Sequence, residues 1–273
     1  MASQKIAFIM DPLAGVRAYK DTTYHLMLAA AQQGHQVYHL DQRDLSLKHD
    51  RLWANVTQLQ VHEDTATPFT LLGSSLLDMG EMDAVFLRTD PPFDRTYFYT
   101  TLLLDFLPKS TRVFNRPQGL RNWNEKLAAL CFPRVTPRTV ITDKAQDIHD
   151  LMAEVGRITL KPVDGHGGKG IVFLQPGVPN LDQLIELITH GGRHRVVAQK
   201  YVPEASIGDK RILLLNGEPM GGILRVHPEG KELNNLDAGG TANPTELTDR
   251  DLEICAEVKD GLIEQGIYFA GID

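Results

Sequence analysis

The sequence predicts an α/β protein of parallel sheet with covering helices, and three observations carry that expectation. An apolar strand, "KIAFIMD", is followed by the helical segment "DTTYHLMLAAAQQGH" and a second strand, "QVYHL". The same unit recurs as "DAVFLR" (83 to 88), "RTYFYTTLLLDFLP" and "TRVFN" (111 to 115). Beyond "NRPQGLRNWNEKLAALCFP", Pro133 and Pro137 interrupt the chain and a new strand–helix–strand series begins.

The first helix has a polar start, and Gly34 is its expected C-terminal stop. The stretch "DRLWANVTQLQVHEDTATPFT" has mixed polarity and no clear period, so it reads as edge strands and loops. Past the prolines, a strand is expected over 138–142, a helix over 143–155 and a strand over 157–163. The chain then runs through a cluster of glycines into "IVFLQ", followed by the helix "NLDQLIELITH" and the strand "RVVAQKYV". "KRILLLNGEPMGGILRV" reads as a hairpin around Asn216-Gly217. A last helix, from about Thr248 to Glu264, carries Leu252, Cys255, Val258 and Leu262 on one stripe, with Thr248 and Asp251 spaced for capping. "YFAGID" closes as a strand. There is no internal repeat or low-complexity tract.

At 273 residues, 42% hydrophobic and 23% charged, the chain can fill two or three lobes with real cores. A formal charge of -7 argues against a sequence-independent nucleic-acid binder, which needs a basic surface to displace counterions. The run "IAFIM" stops at Asp11, too short for a signal peptide, and no later run approaches a membrane span. The expectation is a cytoplasmic protein without nucleic-acid or membrane partners. Cys131 and Cys255 lack metal-ligand or disulfide spacing and read as small core residues.

The glycines of "RITLKPVDGHGGKGIVFLQ" fit two nucleotide motifs superficially. A dinucleotide-binding turn requires a helix next, but a strand follows. A Walker A loop requires Ser or Thr after Gly168-Lys169, but Gly170 stands there, and Val163 holds the place of its first glycine. Two readings remain: a flap between antiparallel strands whose N–H groups close over phosphates, or a bare hairpin tip. Lys161, on the apolar strand entering the loop, and Lys126, at the start of an expected helix, favour the flap as a site for α- and β-phosphates. The kinase motifs that accompany such a flap elsewhere are missing.

Taken in order, "DPLAGVRAYKDTTYHLM", "LRTDPPFD", "NRPQGLRNWNEKL", "LKPVDGHGGKGI", "AQKYVP", "GDKRILLLNGEP" and "DAGG" resemble the bacterial glutathione synthetases of the ATP-grasp superfamily. The likeness spans essentially the whole chain. It implies an ATP-grasp fold preceded by an N-terminal α/β domain (1–122), a small flap-bearing lobe (123–202) and a C-terminal lobe (203–273). It also implies ligation of γ-glutamylcysteine to glycine with ATP and magnesium, or manganese, by a homo-oligomer. On that basis Lys126 and Lys161 hold nucleotide phosphates, and the loop of Gly165, Gly167, Gly168 and Gly170 closes over them. Gln199 and Tyr201, in the hinge 198–202, meet adenine, and Asp209 lies near the ribose. Arg211 and Arg225 face the reacting carboxyl and the γ-phosphate. Arg88, with Gly239 and Gly240, binds substrate, and Asp273 is a metal ligand.

Two departures from the family pattern stand out. Leu233 and Asn234 occupy a stretch where the family usually has an arginine, and Thr241 stands where another often follows the paired glycines. Losing guanidinium forks weakens the grip on a substrate carboxylate, and Lys231 is not an equivalent fork. These changes make a ligase of different specificity one alternative, and the incomplete metal set makes a nucleotide-binding, catalytically silent relative another. The family's Glu and Asn metal partners lie beyond Asp273, so the C-terminal lobe is expected to be cut short. His62, His166, His190 and His194 show no metal-ligand spacing. Trp53 and Trp123 read as core, and Asp90 and Asp94 around Pro91-Pro92 fit turn formation as well as a paired-carboxylate site.

Overall fold

The computed structural model describes residues 2–228 and 239–273. The chain divides into two compact units: Met1–Asn122 with Gln265–Ile267, and Trp123–Glu264 with Tyr268–Asp273.

In the first unit, β1 (Lys5–Ile9) leads through α1 (Thr22–Gln32) to β2 (Gln36–Leu40), followed by β3 (Leu45–Lys48), β4 (Arg51–Val61) and β5 (Phe69–Asp78). β6 (Ala84–Leu87), α2 (Arg95–Leu104), β7 (Arg112–Phe114) and α3 (Pro117–Asn122) complete it. β2, β1, β6 and β7 run parallel, as the alternation predicts, whereas β3, β4 and β5 join antiparallel to make a seven-stranded mixed sheet. Each covering helix starts on an aspartate: Asp21 accepts from the Tyr24 amide at 2.9 Å and Asp94 from the Tyr97 amide at 2.8 Å. Asp94 is thus explained by its turn.

β1 is buried on both faces, as a central parallel strand must be. Ile6 and Phe8 join Tyr24, Met27 and Val37 in one cluster, while Ala7 and Ile9 join Leu40, Val85 and Leu104 in the other. The stretch without a clear period is a long hairpin of β4 and β5. Its irregular pattern has a physical cause. Leu52, Ala54 and Val56 bury one face of β4 in the second cluster, whereas Leu59 and Val61 bury the opposite face in the first. A strand that changes its buried face midway shows no continuous alternation.

The second unit contains two four-stranded sheets. β8 (Thr139–Thr142), α4 (Ala145–Val155), β9 (Ile158–Pro162), β10 (Val172–Leu174), α5 (Leu181–Ile188) and β11 (Val196–Lys200) form the first, ordered β10-β9-β11-β8 and wholly antiparallel. Ile148 and Leu151 of α4 and Ile185 of α5 pack on Ile158, Leu160 and Ala198. β12 (Asp209–Leu215), β13 (Glu218–Val226), β14 (Thr241–Thr245), α6 (Asp249–Gln265) and β15 (Phe269–Ile272) form the second, ordered β14-β13-β12-β15. Asn216 and Gly217, at φ of 53° and 77°, make the two-residue turn between β12 and β13.

Three sequence expectations change. Lys126 lies in a turn before a short 3-10 segment, Ala128–Cys131, not in a helix. The Asn124 side chain accepts from the amides of Lys126 and Leu127, a local bond that competes with helical pairing. Cys255 is buried but Cys131 is exposed. On α6, Cys255, Val258 and Leu262 are buried, whereas Leu252 in the first turn is exposed. Trp123 packs edge-on against Phe132, and a methyl on Gly261 of α6 would collide with both rings.

Candidate functional site

The loop between β9 and β10 is shaped by its glycines. Gly167, Gly168 and Gly170 have φ of 59°, 79° and 73°, where side chains other than glycine are strained. At Gly170 a Cβ would also come within 2.8 Å of the Pro162 ring.

Two lysines converge on this loop. Lys126 Nζ donates to the Gly165 carbonyl at 2.5 Å and pairs with Glu125 at 2.6 Å. Lys161, on β9, donates to Gln199 Oε1 at 2.9 Å, and Gln199 Nε2 donates in turn to Thr139 Oγ1 at 2.9 Å. Burial lowers the Lys161 pKa first and the neighbouring Lys126 charge lowers it further, partly offset by Asp273 and Glu125. An ammonium so placed gains most from an incoming anion.

A second cluster lies on the other sheet of the same unit. The β12–β13 register sets Asp209 opposite Arg225. Arg225, only 4% exposed, grips both Asp209 oxygens at 2.7 Å and reaches Asp273 at 3.0 Å. Arg211 holds Asp273 bidentately at 2.6 Å. Burial alone would raise the Asp273 pKa, but Arg211 and Arg225 together hold it below the usual carboxylate range. Asp273, through its hydrogen bond, raises that of Arg211 against burial. Because Asp273 acts on Lys161 and Glu125 acts on both Lys161 and Arg211, the two clusters form one charge system. It sets four cations, Lys126, Lys161, Arg211 and Arg225, against three carboxylates, Glu125, Asp209 and Asp273.

The other expected residues are placed as follows. Arg88 follows β6 in the first unit, half-buried, donating to Thr23 Oγ1 at 3.2 Å. Burial pushes its pKa down against Asp21 and Asp90 and pushes the neighbouring Tyr97 up to about 12. The Arg157 guanidinium lies 3.9 Å from the centre of the Tyr201 ring, and Phe173 meets that ring edge-on. Asp209, expected beside a ribose, has both oxygens engaged by Arg225, although a carboxylate keeps further lone pairs for a hydroxyl. Gly239 has φ 93° and Gly240 precedes β14, whose first residue is Thr241. Lys231, Leu233 and Asn234 lie outside the described residues. The His190 and His194 rings lie with centroids 4.3 Å apart, tilted by 30°, and no group of three metal-ligating side chains occurs among the described residues. Asn124, Thr139 and Arg157 were not singled out from the sequence. The short-range Asx pattern of "NWNEK" is the signal that would have found Asn124.

Comparison with known proteins bears on the same two units. Residues 4–121 match the family model of the prokaryotic glutathione synthetase N-terminal domain, and residues 125–273 match that of the prokaryotic glutathione synthetase ATP-grasp domain. The chain belongs to the prokaryotic glutathione synthetase family. Glutathione synthetase of Gloeobacter violaceus is 42% identical over 275 residues, covering 98% of this chain and 85% of the relative. The enzyme of Synechococcus elongatus is 40% identical over 280 residues, covering 98% and 86%. Among solved structures, the D-cycloserine synthetase DcsG aligns with a TM-score of 0.63 at 16% identity, covering 97% of this chain and 83% of that one. The ATP-grasp ligase PsnB, complexed with a minimal precursor, Mg and ADP, aligns at 0.59 and 15%, covering 98% and 82%. At such identity these structures establish the ATP-grasp fold alone. As a member of the glutathione synthetase family this chain is an ATP-dependent ligase. No helix among the described residues is long and apolar enough to cross a membrane.

Proposed function

We propose that this ligase joins γ-glutamylcysteine to glycine, giving glutathione, ADP and phosphate by way of an acyl phosphate. The observation that carries the reading is the charge system of Lys126, Lys161, Arg211 and Arg225 beside a glycine-shaped loop. Family membership and the names of the relatives support the substrate assignment.

A carboxylate is a poor electrophile, so the reaction first transfers the γ-phosphoryl group of ATP to the dipeptide carboxylate. The amine of glycine then attacks the acyl phosphate carbonyl, and phosphate leaves. Charge accumulates on phosphoryl and carbonyl oxygens, and groups fixed in advance stabilise it at little reorganisation cost. In this reading Lys126 and Lys161 bind the α- and β-phosphates, and the amides of Gly165, Gly167, Gly168 and Gly170 cover them. Gln199 and Tyr201 meet the adenine, and Asp209 serves the ribose while aligning Arg225. Arg211 and Arg225 attend the transferring phosphoryl group and the carboxyl. Arg88, Gly239 and Gly240 bind substrate. Closing the loop excludes water, which would otherwise hydrolyse the acyl phosphate.

The cations fit a nucleotide's phosphates. The described donors do not form a magnesium cage: Asp273 is held by two arginines, and no three ligating side chains cluster. Magnesium, or manganese, therefore enters the proposal only as the counter-ion of the nucleotide, with no step assigned to it.

The test is ADP release by the full chain with ATP, magnesium, γ-glutamylcysteine and glycine, omitting each in turn. Release that requires all four and yields glutathione supports the assignment. Release that proceeds with another acceptor but not glycine overturns it.

A further inference from the structure

The side-chain amide of Gln199 is held from both ends. The register sets Thr139 of β8 opposite Gln199 of β11, and Lys161 of β9 opposite Val197, the next residue but one before Gln199 on the same strand. Partners across a ladder and alternate residues along a strand share a face, so Thr139, Gln199 and Lys161 lie on one side of the sheet. The other side carries Ile158, Leu160, Val196 and Ala198, which pack with α4 and α5. Phe173 stands opposite Thr159, and Thr159 opposite Gln199, so Phe173 belongs to the Gln199 side, where its ring meets Tyr201 edge-on. These rings give that side an apolar border for a flat base.

Along the same side runs a chain of hydrogen bonds. Lys161 Nζ donates to Gln199 Oε1 at 2.9 Å, Gln199 Nε2 donates to Thr139 Oγ1 at 2.9 Å, and Thr139 Oγ1 donates to the Pro137 carbonyl at 2.7 Å. Both ends permit one direction only, because an ammonium has donors and no acceptor, and a carbonyl oxygen has lone pairs and no donor. The Thr139 hydroxyl therefore points its proton at Pro137 and offers Gln199 a lone pair. Turning the Gln199 amide over would set its NH2 group against the Lys161 ammonium and its oxygen against that lone pair. Both hydrogen bonds would be lost in a half-buried place.

The held amide presents an acceptor and a donor in a fixed order. Adenine has an amino donor at C6 beside a ring-nitrogen acceptor, the order in which amide side chains read adenine in nucleic acids. Guanine reverses it, with an oxo acceptor at C6 beside an N1–H donor, and matches the amide only when that is turned over. We propose that Thr139, braced by the Pro137 carbonyl, is the positioning residue for nucleotide choice: it fixes the Gln199 amide in the orientation that accepts adenine and rejects guanine. The inference rests on the reading that Gln199 meets the base. Lys161 keeps further N–H donors for phosphates while bonded to Gln199.

The experiment measures dissociation constants of the full chain for ADP and GDP by titration calorimetry, with a circular dichroism melt of each variant. The wild type is expected to prefer ADP; equal binding of both would overturn the proposal. Thr139→Val keeps the β-branched shape but removes the hydroxyl, so the amide is free to turn and the GDP-to-ADP ratio of dissociation constants should fall about fivefold or more. Thr139→Ser keeps the hydroxyl and should hold the ratio within about twofold of wild type. A merely structural part for Thr139 would weaken both nucleotides by one factor and leave the ratio unmoved, which overturns the proposal. Should the valine variant fail to fold, Thr139→Ala reads the same ratio with the same two outcomes. Gln199→Leu separates the proposal from the reading beneath it and is expected to lower the ratio as well. If it does so while Thr139→Val does not, the role of Thr139 alone falls. If Gln199→Leu leaves the ratio unchanged, the contact of Gln199 with the base falls and the proposal with it.

Discussion

Lys161 has a pKa below that of an ordinary lysine because it is partly desolvated by burial and neighbours the Lys126 charge. An anion bound beside it favours the charged form, so binding takes up a proton wherever the free protein has lost one. Affinity for ADP should therefore fall as pH rises through the depressed value, earlier than an exposed lysine would impose. Lys161→Met should bind ADP about ten- to hundredfold more weakly at neutral pH and lose that pH dependence. Titration calorimetry of both proteins from about pH 7 to about pH 9.5 checks this; parallel curves would remove Lys161 from the phosphate site. Asp209→Asn addresses the other cluster. It leaves the buried Arg225 with a weaker partner, costing about 1–3 kcal/mol of stability, and should lower kcat more than ADP affinity. A variant that melts and turns over like the wild type would show that the Asp209–Arg225 pair does not align the site. These two residues also differ in how far the sequence reveals them. Lys161 is visible as a charge on an apolar strand. The union of Asp209 with Arg225, by contrast, depends on hairpin register, which the turn at Asn216 and Gly217 starts and the irregularity between Leu213 and Leu214 shifts by one residue, and not on either residue's own surroundings.

At the scale of elements, α6 starts on a reciprocal cap. Asp251 accepts from the Thr248 amide and hydroxyl, the Asp251 amide donates to Thr248 Oγ1, and Asp251 also pairs with Lys210 of β12 at 2.5 Å. Burial opposes ionisation, yet Lys210 and Thr248 hold the Asp251 pKa below its usual value. A carboxylate depressed in the folded state contributes its stability above the unfolded pKa and loses it as pH falls through the folded one. Asp251→Ala should cost about 1–2 kcal/mol in urea at neutral pH, and the gap from wild type should close in acid below the ordinary aspartate range. A gap that persists unchanged there would mean the loss is packing, not charge. The flap makes the opposite demand on its sequence. Gly170→Ala forces a side chain into positive φ and against Pro162, so turnover should fall severalfold while Tm changes by a few degrees at most. Caps, hairpin turn and glycine flap were legible because each is a short-range pattern. The β4–β5 hairpin was not, since its alternation is broken where the buried face changes, and Lys126 left its expected helix because Asn124 captures the next amides.

Over the whole molecule, the residues proposed for the phosphates belong to Trp123–Glu264 and Tyr268–Asp273, while Arg88 belongs to the first unit. The sequence shows a change of pattern after "NRPQGLRNWNEKLAALCFP", at Pro133 and Pro137, later in the chain than the break between the two units at Asn122, and the order of its motifs conveyed the family. It could not convey the charge coupling among Lys161, Glu125, Arg211 and Asp273, because that depends on two sheets being placed near each other. The division makes a prediction about function. If Arg88 grips the acid substrate, its guanidinium fork is needed for that ligand alone, and Arg88→Ala should raise KM for γ-glutamylcysteine about ten- to a thousandfold. ADP affinity should remain within about twofold, because uncoupled contributions are additive. Lys161→Met should do the converse, weakening ADP while changing the dipeptide KM little. Arg88 is half-buried and bonded to Thr23, so the melt must be compared alongside: a loss of fold would weaken both ligands together, whereas a loss of contact separates them. Calorimetry with ADP and initial rates against dipeptide, on both variants, distinguish the cases. If Arg88→Ala weakens ADP as much as it weakens the dipeptide while melting like the wild type, the assignment of Arg88 to the acid substrate fails and its side chain serves the nucleotide instead.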